Sequence, residues 1–253
     1  MRRHGADRRR QRMAQTRLNK YLASCGLCSR RDADKLIGAG EVFVNGARAQ
    51  AGMKVDDGDC VEVRGKRVHM SDEKVVLAYY KPVGVVCTER DAHAQRILMK
   101  EINYPKRVTY AGRLDKDSEG LILLTNDGGL IDAMMRGKNA HEKEYIVKAD
   151  RAWDDAAIAN MRAGVYLEEL GQTTRPCQIE KIGDKTLRMI LTQGLNRQIR
   201  RMCEGQGYRV RGLKRTRVIN IELGKLNPGE YRELTEQERQ KLYQICGLFA
   251  GGE

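Results

Sequence analysis

From Arg17 onward the apolar positions fall into short, regular spacings, whereas MRRHGADRRRQRMAQT before them offers almost nothing to a core. Leu18, Tyr21, Leu22 and Cys25 have helical spacing and predict a short helix ending near Gly26. SRRDADKLIGAG predicts a second helix, with Ser29 as N-cap and Asp32 three residues on, near the capping-box pattern. Val42 and Val44 then alternate in EVFVNGARA, and Asn45-Gly46 is a strong hairpin-turn signal. CVEVRG gives a further strand by Gly65. The expectation is a disordered basic arm over 1–16, a small domain of two helices and a hairpin sheet over 17–65, and a charged linker over 66–74.

The remainder, 75–253, has a mixed pattern. Strands are predicted at Val75–Tyr80, Val83–Cys87, Val108–Tyr110, Leu121–Thr125, Glu144–Lys148, Gln178–Ile182, Thr186–Leu191 and Val218–Leu223. Helices are predicted at Asp127–Arg136, Trp153–Arg162 and Arg197–Glu204, and Thr235 with Glu238 caps a last one reaching Cys246. Strands and helices mix without βαβ alternation, so the fold class is α+β with a mixed, mostly antiparallel sheet. No internal repeat is visible.

Charge narrows the class of partner. The 253 residues carry a formal charge of +13 and a pI near 9.5, which suits a polyanion whose counterions are released on binding. No apolar run of about 18 residues and no signal-peptide core is present, so a membrane partner is not expected and a cytoplasmic setting is. Seven cysteines, an odd number, fit that setting better than a disulfide framework. Cys25 and Cys28 have C-x-x-C spacing, but no second such pair or close His pair completes a zinc site, and the first lies in a helix pattern. They read as two small, buried side chains.

The chemistry-bearing stretch is TYAGRLDKDSEGLILLTNDG, Thr109 to Gly128, where Arg113, Asp115 and Asp117 precede an apolar run. Two carboxylates beside Arg113 and Lys116 make a thin metal site. Gly112 and Gly120 are too sparse for a phosphate loop, and a strand follows rather than a helix. A carboxylate in a loop at a sheet end can act as nucleophile or general base if a cation keeps it ionised. Composition alone favours a plain charged turn, with Asp117 as a turn-supporting carboxylate.

Resemblance changes that balance. Arg17-Leu18-Asn19-Lys20-Tyr21-Leu22, Cys28-Ser29-Arg30-Arg31-Asp32-Ala33 and Val44-Asn45-Gly46 together resemble the S4-like RNA-binding domain. Gly112-Arg113-Leu114-Asp115 through Gly120-Leu121 resembles the catalytic motif of pseudouridine synthases of the RsuA/RluB/RluE/RluF group. Lys81-Pro82-Val83-Gly84, Lys143-Glu144-Tyr145 and Gly194-Leu195-Asn196-Arg197-Gln198-Ile199-Arg200-Arg201-Met202 match further segments of that group. The resemblance runs from about Arg17 to Leu234. HEKEY from His141 and QGLNRQIR from Gln193 lie nearest the RluF branch, which modifies large-subunit ribosomal RNA.

The resemblance implies an isomerase that breaks the ribose–N1 bond of uridine, turns the base and rejoins it through carbon, with no cofactor and no metal. It implies Asp115 as catalytic aspartate, Arg200 as the arginine paired with it, and Tyr145 as the stacking face for uracil. Arg113 fills the space of the flipped nucleotide, and Lys143, Arg197 and Arg201 contact RNA. On the small domain, Arg17, Lys20, Arg30, Arg31 and Lys35 form the basic RNA face. Ribosomal RNA is the implied substrate, transfer RNA a further candidate, and a monomer is expected. The rival reading is a non-catalytic RNA-binding or ribosome-assembly protein, which leaves the Arg-Leu-Asp constellation unexplained. A tRNA synthetase is disfavoured by the absence of HIGH and KMSKS signatures, and a metal-dependent nuclease by the thin ligand set.

Overall fold

The computed structural model describes residues 15–56, 58–70, 73–88 and 94–248. Most of the expected basic arm lies outside the described residues. The chain divides between Lys74 and Val75 into two compact units.

The first unit runs β1 (Thr16–Arg17), α1 (Leu18–Ser24), α2 (Arg30–Gly38), β2 (Val42–Val44), β3 (Ala47–Arg48), β4 (Lys54–Val55), β5 (Val61–Val63) and β6 (Lys66–Arg67). β1 pairs with β4, and the order β3-β2-β5-β6 makes an antiparallel sheet. Ser29 caps α2 by accepting the Asp32 N–H at 3.2 Å, as its spacing implies. At the hairpin, Asn45 and Gly46 both take left-handed φ, 51° and 79°, the geometry that makes this pair favourable there. Leu18, Leu22, Val42 and Val61 fill the core at 1% exposure or less, each contributing about 1.5–3 kcal/mol. The stretch expected as a linker belongs to this unit, because Lys66 and Arg67 pair with β5 and the Tyr21 hydroxyl donates to the Val68 carbonyl. Cys25 and Cys28 pack against this core part-buried rather than fully buried, and burial pushes the Cys25 thiol up to about 11.

The second unit runs β7 (Val76–Lys81), α3 (Leu98–Glu101), β8 (Thr109–Ala111), β9 (Glu119–Thr125), α4 (Gly128–Met135), β10 (Lys143–Ala149), α5 (Asp155–Ala163), β11 (Tyr166–Leu167), β12 (Gln172–Thr173), β13 (Gln178–Gly183), β14 (Thr186–Leu191), α6 (Gln198–Gly205), β15 (Val210–Val218), β16 (Ile221–Glu222), β17 (Tyr231–Glu233) and α7 (Glu236–Ile245). Among the described residues the main sheet has the order β13-β14-β10-β15-β9-β7-β17, with β8 on β9 and β16 on β15. Every pairing in it is antiparallel except β15 with β9. The fold class is therefore α+β around a mixed, mostly antiparallel sheet. Thr235 and Glu238 form the full reciprocal capping box of α7.

Two predicted strands are corrected. Val83–Cys87 holds one isolated bridge, Val86 to Ile97, because Gly84 turns the chain at φ 91°. Val218–Leu223 is broken by Ile219 at φ 57°, so Val218 ends one strand and Ile221 opens a short partner. Short β11, β12 and β17 and the long β15 are strands that the pattern does not predict, and the VRGLKRTRV sequence of β15 is heavily basic. Its parallel contact with β9 depends on Gly120, which pairs with Arg215 at φ 109°. A Cβ there would lie 2.2 Å from the Arg215 carbonyl oxygen and 2.6 Å from its nitrogen.

Candidate active site

β8 ends at Ala111 and β9 begins at Glu119, and the loop between them carries Arg113, Asp115 and Asp117. Its carbonyls are fastened from several directions. Arg215, from β15, reaches the Arg113 carbonyl at 3.5 Å, and Ser118 N–H reaches that of Asp115 at 3.1 Å. Gly84 N–H donates to Lys116 at 2.7 Å, Arg200 to Asp117 at 2.8 Å, and Lys81 to Ser118 at 2.7 Å. The segments KPVG, α6 and β15 thus converge on one loop, and they fix a backbone that turn propensity alone would leave mobile.

The carboxylates are held by α6. Arg197 sits at its N-cap in the left-handed region, φ 50°, an uncommon conformation for a non-glycine residue. That turn sends its guanidinium to Asp117 in a two-point contact of 3.2 and 3.1 Å, and to Asp115 Oδ2 at 3.6 Å. Arg200 Nε lies 3.3 Å from Asp117 Oδ2, close enough for an ion pair but not aligned as a hydrogen bond. Burial pushes the Asp117 carboxyl up, but the Arg197 hydrogen bond and the charges of Arg200 and Arg197 outweigh it and hold it below its ordinary value. The expected pairing of Arg200 with Asp115 is therefore corrected: Arg197 meets Asp115, while Arg200 lies one turn into the helix and grips Asp117. Asp117 anchors both arginines and is more than a turn-supporting residue.

A cleft of about 520 Å³ opens beside this loop, within the size range of small-molecule and nucleotide sites. Arg113, Asp115, Lys143, Tyr145 and Arg197 line it, so five of the predicted site residues share one cavity. Arg113 is exposed at the loop, while Tyr145 is half-buried on β10 opposite Arg215 and Met189. Burial, and then the charge of Arg215, push Lys143 down to about 8. Arg201 does not face the cleft; it is part-buried, ion-pairs with Glu169 and donates to the Asn196 carbonyl at 3.1 Å, so its expected role on RNA is not supported.

The small unit carries the other predicted residues. Arg17, Arg30 and Arg31 are exposed, Lys20 is part-buried, and Lys35 lies 3.5 Å from Asp32. Sequence reading missed three side chains at the site: buried Lys81, buried Arg215 and buried His141. Burial lowers the Lys81 pKa against the pull of Cys87, Asp117, Asp115 and Glu101. The signal for Arg215 is a basic residue at an inward-facing position of β15, between buried Leu213 and Val218.

Comparison with known proteins supplies the family. Residues 75–205 match the RNA pseudouridylate synthase model, and residues 16–61 match the S4 domain. A dual-specificity RNA pseudouridine synthase RluF of Escherichia coli K12 is 46% identical over 231 residues, covering 90% of this chain and 79% of that one. The chain belongs to the RNA pseudouridine synthase family. The RluF of Salmonella typhi is also 46% identical, over 91% of this chain and 79% of that one. A ribosomal large subunit pseudouridine synthase B of Bacillus subtilis is 34% identical over 91% of this chain and 96% of that one. A crystal structure of a pseudouridylate synthase superposes with a TM-score of 0.67 at 29% identity, covering 89% of this chain and 99% of the other. The pseudouridine synthase fold and an S4 domain thus account for both units, and RNA is the substrate class. Among the described residues, no helix is long and apolar enough to cross a membrane.

Proposed function

We propose that this pseudouridine synthase isomerises a uridine of large-subunit ribosomal RNA, with transfer RNA as a second substrate, and that Asp115 is its catalytic carboxylate. The single observation that carries the assignment is Asp115 lining the cleft 3.6 Å from Arg197, with Tyr145 lining the same cleft. The names of the relatives support an RNA substrate, one being called a dual-specificity RNA pseudouridine synthase and another a ribosomal large subunit synthase.

The flipped uridine enters the cleft, and the Tyr145 ring offers its face to the base, a contact worth about 1–3 kcal/mol in single-strand binders. Asp115 either attacks the ribose at C1′ or removes a ribose proton, with the Arg197 guanidinium 3.6 Å from its carboxylate. Arg113 is anchored through its carbonyl and presents its guanidinium at the cleft, where it fills the gap in the RNA. Flipping costs a few kcal/mol, and a planar stacking cation offsets part of it. Exposed Arg17, Arg30 and Arg31 take phosphates of structured RNA. The enzyme works as a monomer in the cytoplasm.

Mapping pseudouridines in ribosomal and transfer RNA from cells lacking this gene tests the reading. A uridine left unmodified, restored by the wild-type chain but not by Asp115→Asn, is the expected result. Restoration by both chains would favour a non-catalytic RNA-binding role, and an unchanged map would refute these substrates.

A further inference from the structure

We infer that Lys143 is a catalytic residue of the isomerisation, its ammonium receiving the uracil anion released when the glycosidic bond breaks. The inference rests on the reading of Asp115 as the catalytic carboxylate. When N1–C1′ breaks, the bonding pair stays on the base, which departs as an anion with its charge spread over O2 and O4. The ribose carbon is meanwhile bonded to the Asp115 oxygen, or its proton is on Asp115. By either route one negative charge leaves Asp115 and appears on uracil. Arg197 serves the first location of that charge, and the second needs its own cation.

Lys143 has the position and the unmet need. It starts β10, two residues before Tyr145, and lines the same cleft as Asp115. Its Nζ donates to the His141 carbonyl at 3.2 Å, and no carboxylate pairs with it among the described residues. A half-buried ammonium without an anion is unfavourable until one arrives. The charged groups that line the cleft with it are Arg215 from β15, Arg113, Asp115 and Lys116 from the loop, and Arg197 at α6, beside neutral His141, Tyr145 and Cys87; β14 pairs Leu191 with it. The cations outnumber the carboxylates. Arg215 is 3% exposed and has one Nη2 without a partner, so it adds positive potential behind the lysine. His141 is kept neutral by burial and by Lys143, and leaves its Nε2 unpartnered. When C5 then attacks C1′, its proton is lost and N1 gains one; the isomerisation is neutral overall and Lys143 ends as it began.

The test compares uridine with 5-fluorouridine at the target position of one RNA, in single turnover, reading loss of the N-glycoside by nucleoside chromatography. Fluorine withdraws electrons, so the base leaves more easily and depends less on a cation. Lys143→Met is expected to slow the uridine substrate about a hundredfold or more and the fluorinated one at least tenfold less. Lys143→Arg, which keeps the charge, should preserve the wild-type ratio of the two rates and covers the case in which Lys143→Met folds poorly. Equal slowing of both substrates by Lys143→Met, or the same shift of the ratio in Lys143→Arg, would overturn the inference. Asp115→Asn is the control: its failure to slow either substrate would refute the underlying assignment, not the role of Lys143.

Discussion

In the small unit Arg17, Arg30 and Arg31 lie exposed and make no ion pair among the described residues, whereas in the large unit Lys81, Arg200 and Arg215 are withdrawn from solvent. Each of the second group donates to a carbonyl of the loop around Asp115. An exposed cation contributes little to folding but stays available for phosphates. A withdrawn one must be met by several acceptors to offset its desolvation, and it then fixes whatever backbone supplies them. The same residue types thus serve as contacts in one unit and as fasteners in the other.

The comparison is broken most severely where the fasteners are packed. Gly120→Ala should destabilise the large unit by about 2–6 kcal/mol, combining backbone strain with overpacking. Its Cβ would meet Arg215 backbone atoms at 2.2 and 2.6 Å, and the φ of 109° adds to the strain. Urea unfolding monitored at the large unit checks this, and a loss under 1 kcal/mol would mean that β9 and β15 relax apart freely.

Asp117→Asn comes next. It removes the charge that holds Arg197 and Arg200 while retaining the Asp115 carboxylate itself. Misplacement of the catalytic group should lower the single-turnover rate about a hundredfold with little change in RNA affinity. Arg200→Lys should show a milder form of the same defect, because lysine loses the planar fork that reaches both the Asp117 carbonyl and its carboxylate. If affinity falls instead, and recovers at low salt, these residues contact phosphates.

Lys143 gives a smaller effect that depends on pH. Its folded pKa, about 8, is depressed below the ordinary 10.5, so its charge destabilises the fold fully below pH 8. That burden fades as pH rises from about 8 toward 10.5, because the folded lysine loses its proton before the unfolded one does. Lys143→Met should therefore be more stable than wild type at pH 7 by about 1–2 kcal/mol, allowing for partial solvent screening. The advantage should shrink by pH 10; a difference independent of pH would place the effect in packing.

The exposed cations should affect stability least. Replacing Arg17, Arg30 and Arg31 together by Gln should leave stability within about 0.5 kcal/mol per site. The slope of log affinity against log salt should flatten by about 2–3. An unchanged slope would mean that this face binds something other than the RNA.

What the sequence disclosed follows the same division. Local devices were legible: the Ser29 cap, the Asn45-Gly46 turn, the Thr235 capping box and the apolar run of β9 each act within a few residues. β15 was not, because Arg215 and Arg217 occupy a central strand through partners distant in sequence: Leu121 for one, Glu142 and Glu144 for the other. The loop of Asp115 was recognised from its motif, and the cleft does gather Arg113, Asp115, Lys143, Tyr145 and Arg197. The choice between Arg197 and Arg200 was not legible, since it depends on a left-handed turn at Arg197 that spacing cannot foresee. Asp117 was underrated for a related reason: its two arginines lie 80 and 83 residues away.

The most direct test of the account is single-turnover pseudouridine formation by purified wild type and Asp115→Asn on one target RNA, with binding measured on the same samples. The wild type should convert the uridine in EDTA as well as without it, because the isomerisation oxidises nothing and loses no group. Asp115→Asn keeps the size of the side chain and removes its charge, so it should bind about as tightly and convert roughly 10⁴-fold more slowly or worse. Conversion by Asp115→Asn within tenfold of wild type would contradict the assignment of the catalytic carboxylate.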